Sequence, residues 1–382
     1  MKKIIAERTK LIDSSGIRKV FALAASFKDP VNFSIGQPDF DVPEKLKNEA
    51  IKAIKAGHNK YSMTAGDTAL QEKIAGQITK QFGGSTGSPP RAESRGWKKP
   101  EVIVTSGVSG GLLLAFMAIV NPGDEIIITD PYFVMYKHLV NMLGGKCVFI
   151  DTYPAFDLPV DKIAEAITAK TKMIVLNSPS NPTGAVYSEQ QIKALAKTAA
   201  EKDVLILTDE IYEKFCYDGP CPSIASYYDK VILLGGFSKS YAMTGWRLGY
   251  AVVPSGLKEI IEQMTKIQQY TFVCAPTPFQ KAAIAAMDYD VSSLVDAYRK
   301  KRDLIYEGLK DKFEITKPAG AFYAFVKVPN GSATKFVEKA IANNVLIIPG
   351  NVFSEKDTHF RISYATSDDK IRQGIEILRR LA

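Results

Sequence analysis

The sequence predicts an α/β protein with a large domain, in which helices cover a mostly parallel sheet, and a smaller α+β domain. Between residues 100 and 240, short apolar strands alternate with helical segments. These strands are continuously apolar, which is typical of strands buried on both faces of a parallel sheet. After about residue 288 the alternation stops, and long amphipathic segments are mixed with single strands. That change of pattern indicates a second, α+β unit.

The elements of the large domain follow one another in regular order. Strands are predicted for "EVIVTSG", "EIIIT", "KCVFI", "TKMIVLNSP", "VLILTDEI" and "VILLGGF". Helices are predicted for "GLLLAFMAIV", "YFVMYKHLVNML" and "SEQQIKALAKTAAEK". The breaker "NPGD" ends the first helix. The third helix begins with Ser188 and Gln191 at the spacing of a capping box.

The C-terminal part has its own set of elements. Helices are predicted for "SLVDAYRKKRDLIYEGLKDKF", "SATKFVEKAIANN" and "DDKIRQGIEILRRL", and strands for "GAFYAFVKV", "VLIIPG" and "FRISYA". We expect residues 1–45 to form an N-terminal arm belonging to the small domain, residues 46–288 the large domain, and residues 289–382 the small C-terminal domain. The stretch from Gly83 to Lys99 is rich in glycine, serine and proline, which predicts a long exposed loop.

Composition excludes several classes of protein. The chain has 382 residues, four cysteines, three histidines and a net charge of +8. So few histidines and such scattered cysteines argue against a metal site and for reduced, structural thiols, as in a cytoplasmic protein. The lysines alternate with glutamates in helical segments, which favours a solvated basic surface over nucleic-acid binding. The charged N-terminus predicts no signal peptide, and "LLLAFMAIV" is too short to span a bilayer.

Polar groups follow several of the predicted strands at the point where each strand ends. "SGVSGG" follows "EVIVT", and the segment Asn177–Gly184, "NSPSNPTG", follows "KMIVL". Asp209 comes directly after "VLILT", and Ser238 and Lys239 come directly after "VILLGGF". The carboxyl ends of parallel strands form the ligand crevice of an open α/β sheet. We therefore expect these groups to converge at one edge.

The residue types at this edge point to one cofactor. A lysine amine forms a Schiff base with an aldehyde, and a carboxylate keeps a facing pyridine nitrogen protonated. Phenol and amide groups can hydrogen-bond a ring oxygen. Serine, arginine and the backbone N–H groups of a helix start can hold a phosphate. Together these groups describe a site for pyridoxal 5'-phosphate.

The chain resembles the class I/II aminotransferases, which are fold type I pyridoxal-phosphate enzymes, and is most like their aspartate and aromatic aminotransferases. The resemblance rests on "SIGQPDFDVP", "YSMTAG", "SNPTG", "TDEIYEKF", "GFSKSYAMTGWRLGY" and "FRISYAT", in that order and nearly over the whole chain. It implies the fold type I architecture and a transferase of amino acid metabolism. Such an enzyme moves an amino group between an L-amino acid and a 2-oxo acid such as 2-oxoglutarate. It also implies a homodimer.

The resemblance assigns the groups around the cofactor ring. Lys239 would form the Schiff base and later move the substrate proton, and Asp209 would pair with the ring nitrogen. Tyr212 and Asn181 would hydrogen-bond the ring oxygen. Phe133 would stack on the ring at a position where many relatives have tryptophan. The alternative is that Phe133 is a packing residue.

The cofactor's phosphate is assigned to residues from the glycine turn and from the motif around the lysine. Ser238 and Arg247 would hold it, with the backbone of Val108 and Ser109. Tyr61 would reach the phosphate bound by the neighbouring subunit. The alternative is that Tyr61 acts within its own subunit.

The substrate's α-carboxylate is assigned to Arg361 in a two-pronged pair, helped by Asn181 and the backbone of Gly36. Some relatives that prefer aspartate carry a lysine in the glycine turn where this chain has Ser109. We therefore expect aromatic or neutral amino acids as donors, with aspartate as an open alternative if Arg18 or another basic residue replaces that lysine. The motifs also leave open a pyridoxal-phosphate carbon–sulfur lyase on the same fold.

Overall fold

The computed structural model describes residues 4–13, 16, 20, 27–83 and 96–382. Most of the predicted loop between Gly83 and Lys99, namely residues 84–95, lies outside the described residues, as does Arg18. The described α-helices are α1 (Glu44–Lys55), α2 (Thr68–Phe82), α3 (Gly107–Ile119), α4 (Val134–Met142), α5 (Val160–Ala166), α6 (Glu189–Lys202), α7 (Lys258–Thr271), α8 (Thr277–Ala286), α9 (Ser292–Leu309), α10 (Ala333–Ala342) and α11 (Asp368–Leu381).

The strands of the described residues form three sheets. They are β1 (Val31–Asn32), β2 (Glu101–Ser106), β3 (Glu125–Asp130), β4 (Lys146–Asp151), β5 (Thr171–Asn177), β6 (Leu205–Asp209), β7 (Val231–Gly236), β8 (Leu248–Val253), β9 (Tyr323–Lys327), β10 (Val345–Leu346), β11 (Ile348–Pro349) and β12 (His359–Ser363). Short 3₁₀ helices span Glu7–Leu11, Ile224–Ser226, Ser255–Leu257 and Gly350–Val352.

The predicted mostly parallel sheet is confirmed. Its seven described strands have the order β2-β8-β7-β6-β5-β3-β4, and the pairs from β4 to β7 are all parallel. Strand β8 was not predicted, and it pairs antiparallel with β7 and with β2. The connection between β7 and β8 contains no helix, and strands joined without a crossover helix generally run antiparallel. Helices α3 and α7 pack against β2 and β8.

The C-terminal part contains a three-stranded antiparallel sheet of order β11-β12-β9. The predicted single strand "VLIIPG" is divided: β10 pairs with β1, whereas β11 pairs with β12. The β1–β10 pairing brings the segment after residue 30 against the C-terminal region. The domain boundaries at residues 45 and 288 stay a prediction.

Local signals for the helices are also visible in the structure. Ser188 and Gln191 form the predicted capping box at the start of α6. Helix α3 begins at Gly107, four residues before the predicted helix, so that the glycine turn forms its first turn. Within the described residues, the structure has no helix with the length and apolar character needed to cross a membrane.

Candidate active site

The carboxyl ends of β5, β6 and β7 open into a cavity of about 350 Å³. This volume falls in the range of small-molecule and cofactor sites. Each of the predicted site residues lines the cavity except Tyr61, and they are Gly36, Val108, Ser109, Phe133, Asn181, Asp209, Tyr212, Ser238, Lys239, Arg247 and Arg361. The expected convergence at one sheet edge therefore occurs.

Lys239 lies just beyond the end of β7, with its amine turned into the cavity. Its Nζ donates a hydrogen bond to the carbonyl oxygen of Gly36 at 2.5 Å. Burial lowers the pKa of Lys239 to about 8, helped by the positive charges of Arg361 and Arg247 and opposed by Asp209. A substantial fraction of this amine is therefore neutral near physiological pH, as a nucleophile or base requires.

Asp209 is the last residue of β6, and it is buried at the floor of the cavity. Burial raises the pKa of its carboxyl to about 6, against hydrogen bonds from Tyr136 and from the Ile211 backbone. Tyr136 Oη donates to Oδ2 at 2.8 Å, and the Ile211 N–H donates to Oδ1 at 3.2 Å. The carboxyl is thus mostly anionic at neutral pH, and a cationic ring nitrogen would complement it.

The loop after β5 is held by the side chain of Asn177. Its amide donates to the carbonyl of Asp209 at 2.9 Å, and its Oδ1 accepts from the N–H of Asn181 at 2.9 Å. These two bonds join the ends of β5 and β6 and direct Asn181 into the cavity. Asn177 was predicted only as the first residue of the polar loop, without this supporting role.

Arg361 is a buried cation with no acidic partner among the described residues. Its side chain is 1% exposed. It donates to Asn181 Oδ1 at 3.1 Å and to the carbonyl of Ser34 at 2.7 Å, and its Nε has no partner. Buried charges are normally paired, since desolvation of an unpaired charge is costly. The arrangement therefore calls for an anionic ligand, and a carboxylate fits the planar guanidinium.

A second anion site lies at the start of α3. Gly107 has φ +68°, and a Cβ there would lie 2.6 Å from the Arg247 guanidinium, so only glycine fits. Ser106, the residue before the helix, makes no side-chain cap. The N–H groups of the first turn, which includes Val108 and Ser109, therefore remain available to an anion.

Arg247 lies next to this helix start, and Ser238 lines the same cavity. Arg247 Nη1 donates to the carbonyl of Thr244 at 2.8 Å, and Nη2 donates to that of Ser106 at 3.3 Å. Arg247 itself has φ +56°, a strained conformation for a non-glycine residue. These contacts hold the guanidinium next to the free N–H groups of the first turn of α3. A positive charge beside free N–H groups suits the binding of a phosphate.

Two phenols meet at another wall of the cavity. Tyr212 Oη and Tyr323 Oη are 2.8 Å apart, and both side chains are buried. Neither Tyr136 nor Tyr323 was singled out from the sequence. Tyr136 lies in an apolar helical pattern and Tyr323 in an apolar strand, where a tyrosine usually packs in the core. Phe133 is half-buried at the cavity and meets the Tyr136 ring edge-on, with ring centroids 5.6 Å apart.

Tyr61 lies outside the cavity, and its side chain is 83% exposed. Met63 beside it is 73% exposed. The segment that carries them is nevertheless anchored to helix α8 by two hydrogen bonds. Thr277 Oγ1 donates to the Lys60 carbonyl at 2.7 Å, and Gln280 Nε2 donates to Ser62 Oγ at 3.0 Å. Tyr61 is therefore presented to the outside on an anchored loop.

Comparisons with known proteins agree with this geometry. Residues 28–378 match the family described as aminotransferase class I and II. The chain is 39% identical to a probable aspartate aminotransferase of Methanocaldococcus jannaschii, over 99% of this chain and 100% of that protein. It is 32% identical to aromatic-amino-acid aminotransferase 2 of Thermococcus litoralis, over 99% and 98% of the two chains. The solved aspartate aminotransferase of Thermus thermophilus, with maleate, superposes with a TM-score of 0.91 at 34% identity, covering 100% of both chains.

Proposed function

The chain belongs to the class I and II aminotransferase family, and from that premise we propose how it works and on what it acts. As an aminotransferase it exchanges an amino group between an amino acid and a 2-oxo acid. We propose that pyridoxal 5'-phosphate is its cofactor. Its donors would be L-amino acids with aromatic or neutral side chains, with aspartate as the alternative. The acceptor would be a 2-oxo acid such as 2-oxoglutarate.

The residues present fit this cofactor. The observation that carries the proposal is the pair of Lys239 and Asp209 in one cavity, an amine with a lowered pKa and a buried carboxyl with a raised one. Lys239 would hold the aldehyde carbon and Asp209 the ring nitrogen. The start of α3, with Ser238 and Arg247, would hold the phosphate. When bound, the cofactor supplies an electron-accepting ring and an aldehyde for the exchange.

The chain's own groups then divide the work of positioning and proton transfer. Asp209 would keep a proton on the cofactor's ring nitrogen, because its negative charge favours the cationic form of the ring. Arg361 binds the substrate carboxylate and so orients the Cα–H bond. Lys239, as a neutral amine, would take the proton from the substrate Cα and later return it. The Gly36 carbonyl, which accepts a hydrogen bond from Lys239 Nζ, would hold the amine at the cavity whenever Lys239 is free.

Tyr212 and Asn181 would hydrogen-bond the ring oxygen. Burial raises the pKa of Tyr212 well above its usual range, so its hydroxyl keeps its proton and can donate at neutral pH. Phe133 would pack on the face of the ring. These groups orient the cofactor and exclude water from the reacting atoms.

The proposed preference for neutral donors rests on the charge of the described residues around the cavity. The positive side chains there are Lys239, Arg247 and Arg361, and each already has a role in the proposal. Ser109, in the glycine turn, offers a hydroxyl where a lysine would offer a charge. A second carboxylate on the substrate therefore has no cationic partner in the described part of the cavity.

We also propose a homodimer and a cytoplasmic location. Tyr61 would complete the phosphate site of the partner subunit, which agrees with its exposure on an anchored loop. Twofold symmetry is the commonest arrangement of soluble oligomers.

Reductive labelling tests the proposal directly. The purified protein should be yellow, and borohydride should attach the cofactor covalently to Lys239, as mass spectrometry of the peptides would show. Lys239→Ala should remain unlabelled, and a label on another lysine would refute the assignment. Amino transfer that requires a 2-oxo acid is the expected activity. Release of ammonia and pyruvate without an oxo acid would instead identify a lyase.

A further inference from the structure

Two aromatic rings surround the buried guanidinium of Arg361. Its Cζ lies 4.7 Å from the ring centroid of Tyr323 and 4.6 Å from that of Phe353. Both rings belong to fully buried side chains. Because no carboxylate among the described residues pairs with Arg361, these two rings and the oxygen atoms of Asn181 and Ser34 are what stabilise its charge on the protein side. Their position also limits how far the planar guanidinium can rotate.

The hydroxyl of Tyr323 has a different contact. It lies 2.8 Å from Tyr212 Oη, the phenol proposed to hydrogen-bond the cofactor. If Tyr212 donates its proton to the ring oxygen, Tyr323 has to be the donor to Tyr212. A donor that itself accepts a hydrogen bond becomes a stronger donor. The hydroxyl of Tyr323 would thus strengthen the bond that Tyr212 makes.

The backbone and the neighbouring residues hold Tyr323 in this place. Tyr323 begins β9, where its partner in β12 is Ser363, two residues beyond Arg361. A Cβ on Gly36 would lie 2.5 Å from Tyr323 Oη, so the glycine makes room for the phenol. The same Gly36 accepts the hydrogen bond of Lys239.

We propose that Tyr323 is a positioning residue with two separable tasks: its ring, with that of Phe353, orients Arg361 for the substrate carboxylate, and its hydroxyl orients and strengthens Tyr212. This inference rests on the proposed function, because it assumes that Arg361 binds a carboxylate and that Tyr212 faces the cofactor. It assigns two residues, Tyr323 and Phe353, that the sequence motifs did not single out.

Three variants separate the two tasks. Tyr323→Phe removes the hydroxyl and keeps the ring, Phe353→Leu removes the other ring and keeps the hydroxyl, and Tyr323→Leu removes both features of Tyr323. Two measurements are made on the cofactor-loaded enzymes. One is the pH at the midpoint of the absorbance change that the bound cofactor shows when no substrate or acid is present. The other is the dissociation constant of two acids that lack an amino group, 3-phenylpropionate and succinate.

The expected results differ in pattern. Tyr323→Phe should raise the absorbance midpoint by roughly half a pH unit, because a weaker Tyr212 bond stabilises the deprotonated chromophore less. It should change acid binding by less than about twofold. Phe353→Leu should leave the midpoint in place and weaken acid binding by about threefold to tenfold. Tyr323→Leu should do both.

The contrary outcomes are equally specific. The proposal is wrong if Tyr323→Phe leaves the midpoint unchanged, or if it weakens acid binding as much as Tyr323→Leu does. A general loss of structure would affect both readouts in all three variants, which also contradicts separable tasks. Failure of the proposed function would be visible in the unmodified enzyme, which would then bind neither the cofactor nor the acids.

Discussion

Tyr136 Oη donates a hydrogen bond to Oδ2 of Asp209 at 2.8 Å, and both groups are buried. Burial alone disfavours the Asp209 anion, whereas this bond favours it. Tyr136→Phe should therefore raise the pKa of Asp209 further above about 6 and leave part of it neutral at pH 7. We expect pyridoxal phosphate to bind about fivefold more weakly, as measured by titration of the cofactor-free protein.

The affinity lost in this variant should depend on pH. A carboxyl with a higher pKa takes up its proton at higher pH, so the binding of the variant should decline earlier as the pH falls from 8 to 6. Tyr228→Phe is a matched control, because Tyr228 is also buried but donates to the Val204 carbonyl at 2.8 Å, away from the cavity. Equal effects of the two substitutions would contradict a role of Tyr136 through Asp209.

Lys239 should destabilise the cofactor-free protein. Its pKa falls from 10.5 to about 8 because the folded protein disfavours the charged amine. This shift corresponds to roughly 3 kcal/mol of folding free energy. Lys239→Met keeps the length of the side chain without the charge, so the cofactor-free variant should unfold at higher temperature or denaturant concentration at pH 7.

The sign of this effect follows from proton linkage. Well below pH 8 both the folded and the unfolded states carry the charged lysine, and the folded state bears nearly the full cost of burying that charge. Between pH 8 and 10.5, folding releases the proton of Lys239. The free energy of unfolding of the wild type therefore rises with pH, and its deficit relative to the variant shrinks. Lys230→Met is the control, since the Lys230 amine forms an exposed ion pair with Asp203. A stability difference for Lys239→Met that is constant from pH 7 to 10.5 would contradict this explanation.

The sequence predicted those site residues that come together simply because they lie at the ends of neighbouring strands of the sheet. Asp209 and Lys239 follow directly from the rule that parallel strands end at one edge. Tyr136 and Tyr323 could not be predicted in this way, because each lies within an apolar pattern and gains its role from a contact with a distant residue. Strand β8 was missed for a related reason: "LGYAVV" follows a polar motif and is paired only through tertiary contacts on both sides.

Arg361 should not be replaceable by lysine. A lysine keeps the charge, but it cannot form a planar two-pronged pair with a carboxylate or stack in the same way on Tyr323 and Phe353. Arg361→Lys should lower kcat/KM for an amino acid donor by about tenfold to a hundredfold. The loss should be absent for 2-phenylethylamine, an amine that has no carboxylate.

Arg302→Lys controls for the general cost of this exchange. Arg302 is also buried, but it pairs with Asp218 at 2.8 Å and does not line the cavity. The Arg302→Lys variant should lower the thermal stability and leave kcat/KM within about twofold of the wild-type value. If Arg361→Lys lowers the rate with the simple amine as strongly as with the amino acid, Arg361 does not act through the carboxylate.

The residue at position 109 should determine whether the enzyme prefers amino acid donors with neutral or with acidic side chains. Its side chain is exposed in the first turn of α3, at the cavity. Ser109→Lys places a cation there, and a charge-assisted contact is worth roughly 1.5–3 kcal/mol when well made. The ratio of kcat/KM for aspartate to that for phenylalanine, at fixed 2-oxoglutarate, should rise at least tenfold. Ser109→Met controls for size. A wild-type preference for aspartate of a hundredfold or more would show that another group already binds the second carboxylate.

Tyr61 should act in the site of the other subunit, and mixed dimers can test this. Tyr61→Ala and Lys239→Ala are each expected to be nearly inactive alone. If Tyr61 completes the partner's phosphate site, a dimer with one subunit of each kind has one site with both defects and one site with none. Random mixing of equal amounts, after unfolding and refolding together, should restore about a quarter of the wild-type activity. If Tyr61 served its own subunit, both sites of the mixed dimer would carry a defect and no activity would return.

Light scattering at the assay concentration must show a dimer, since a fully active monomer would exclude a shared site.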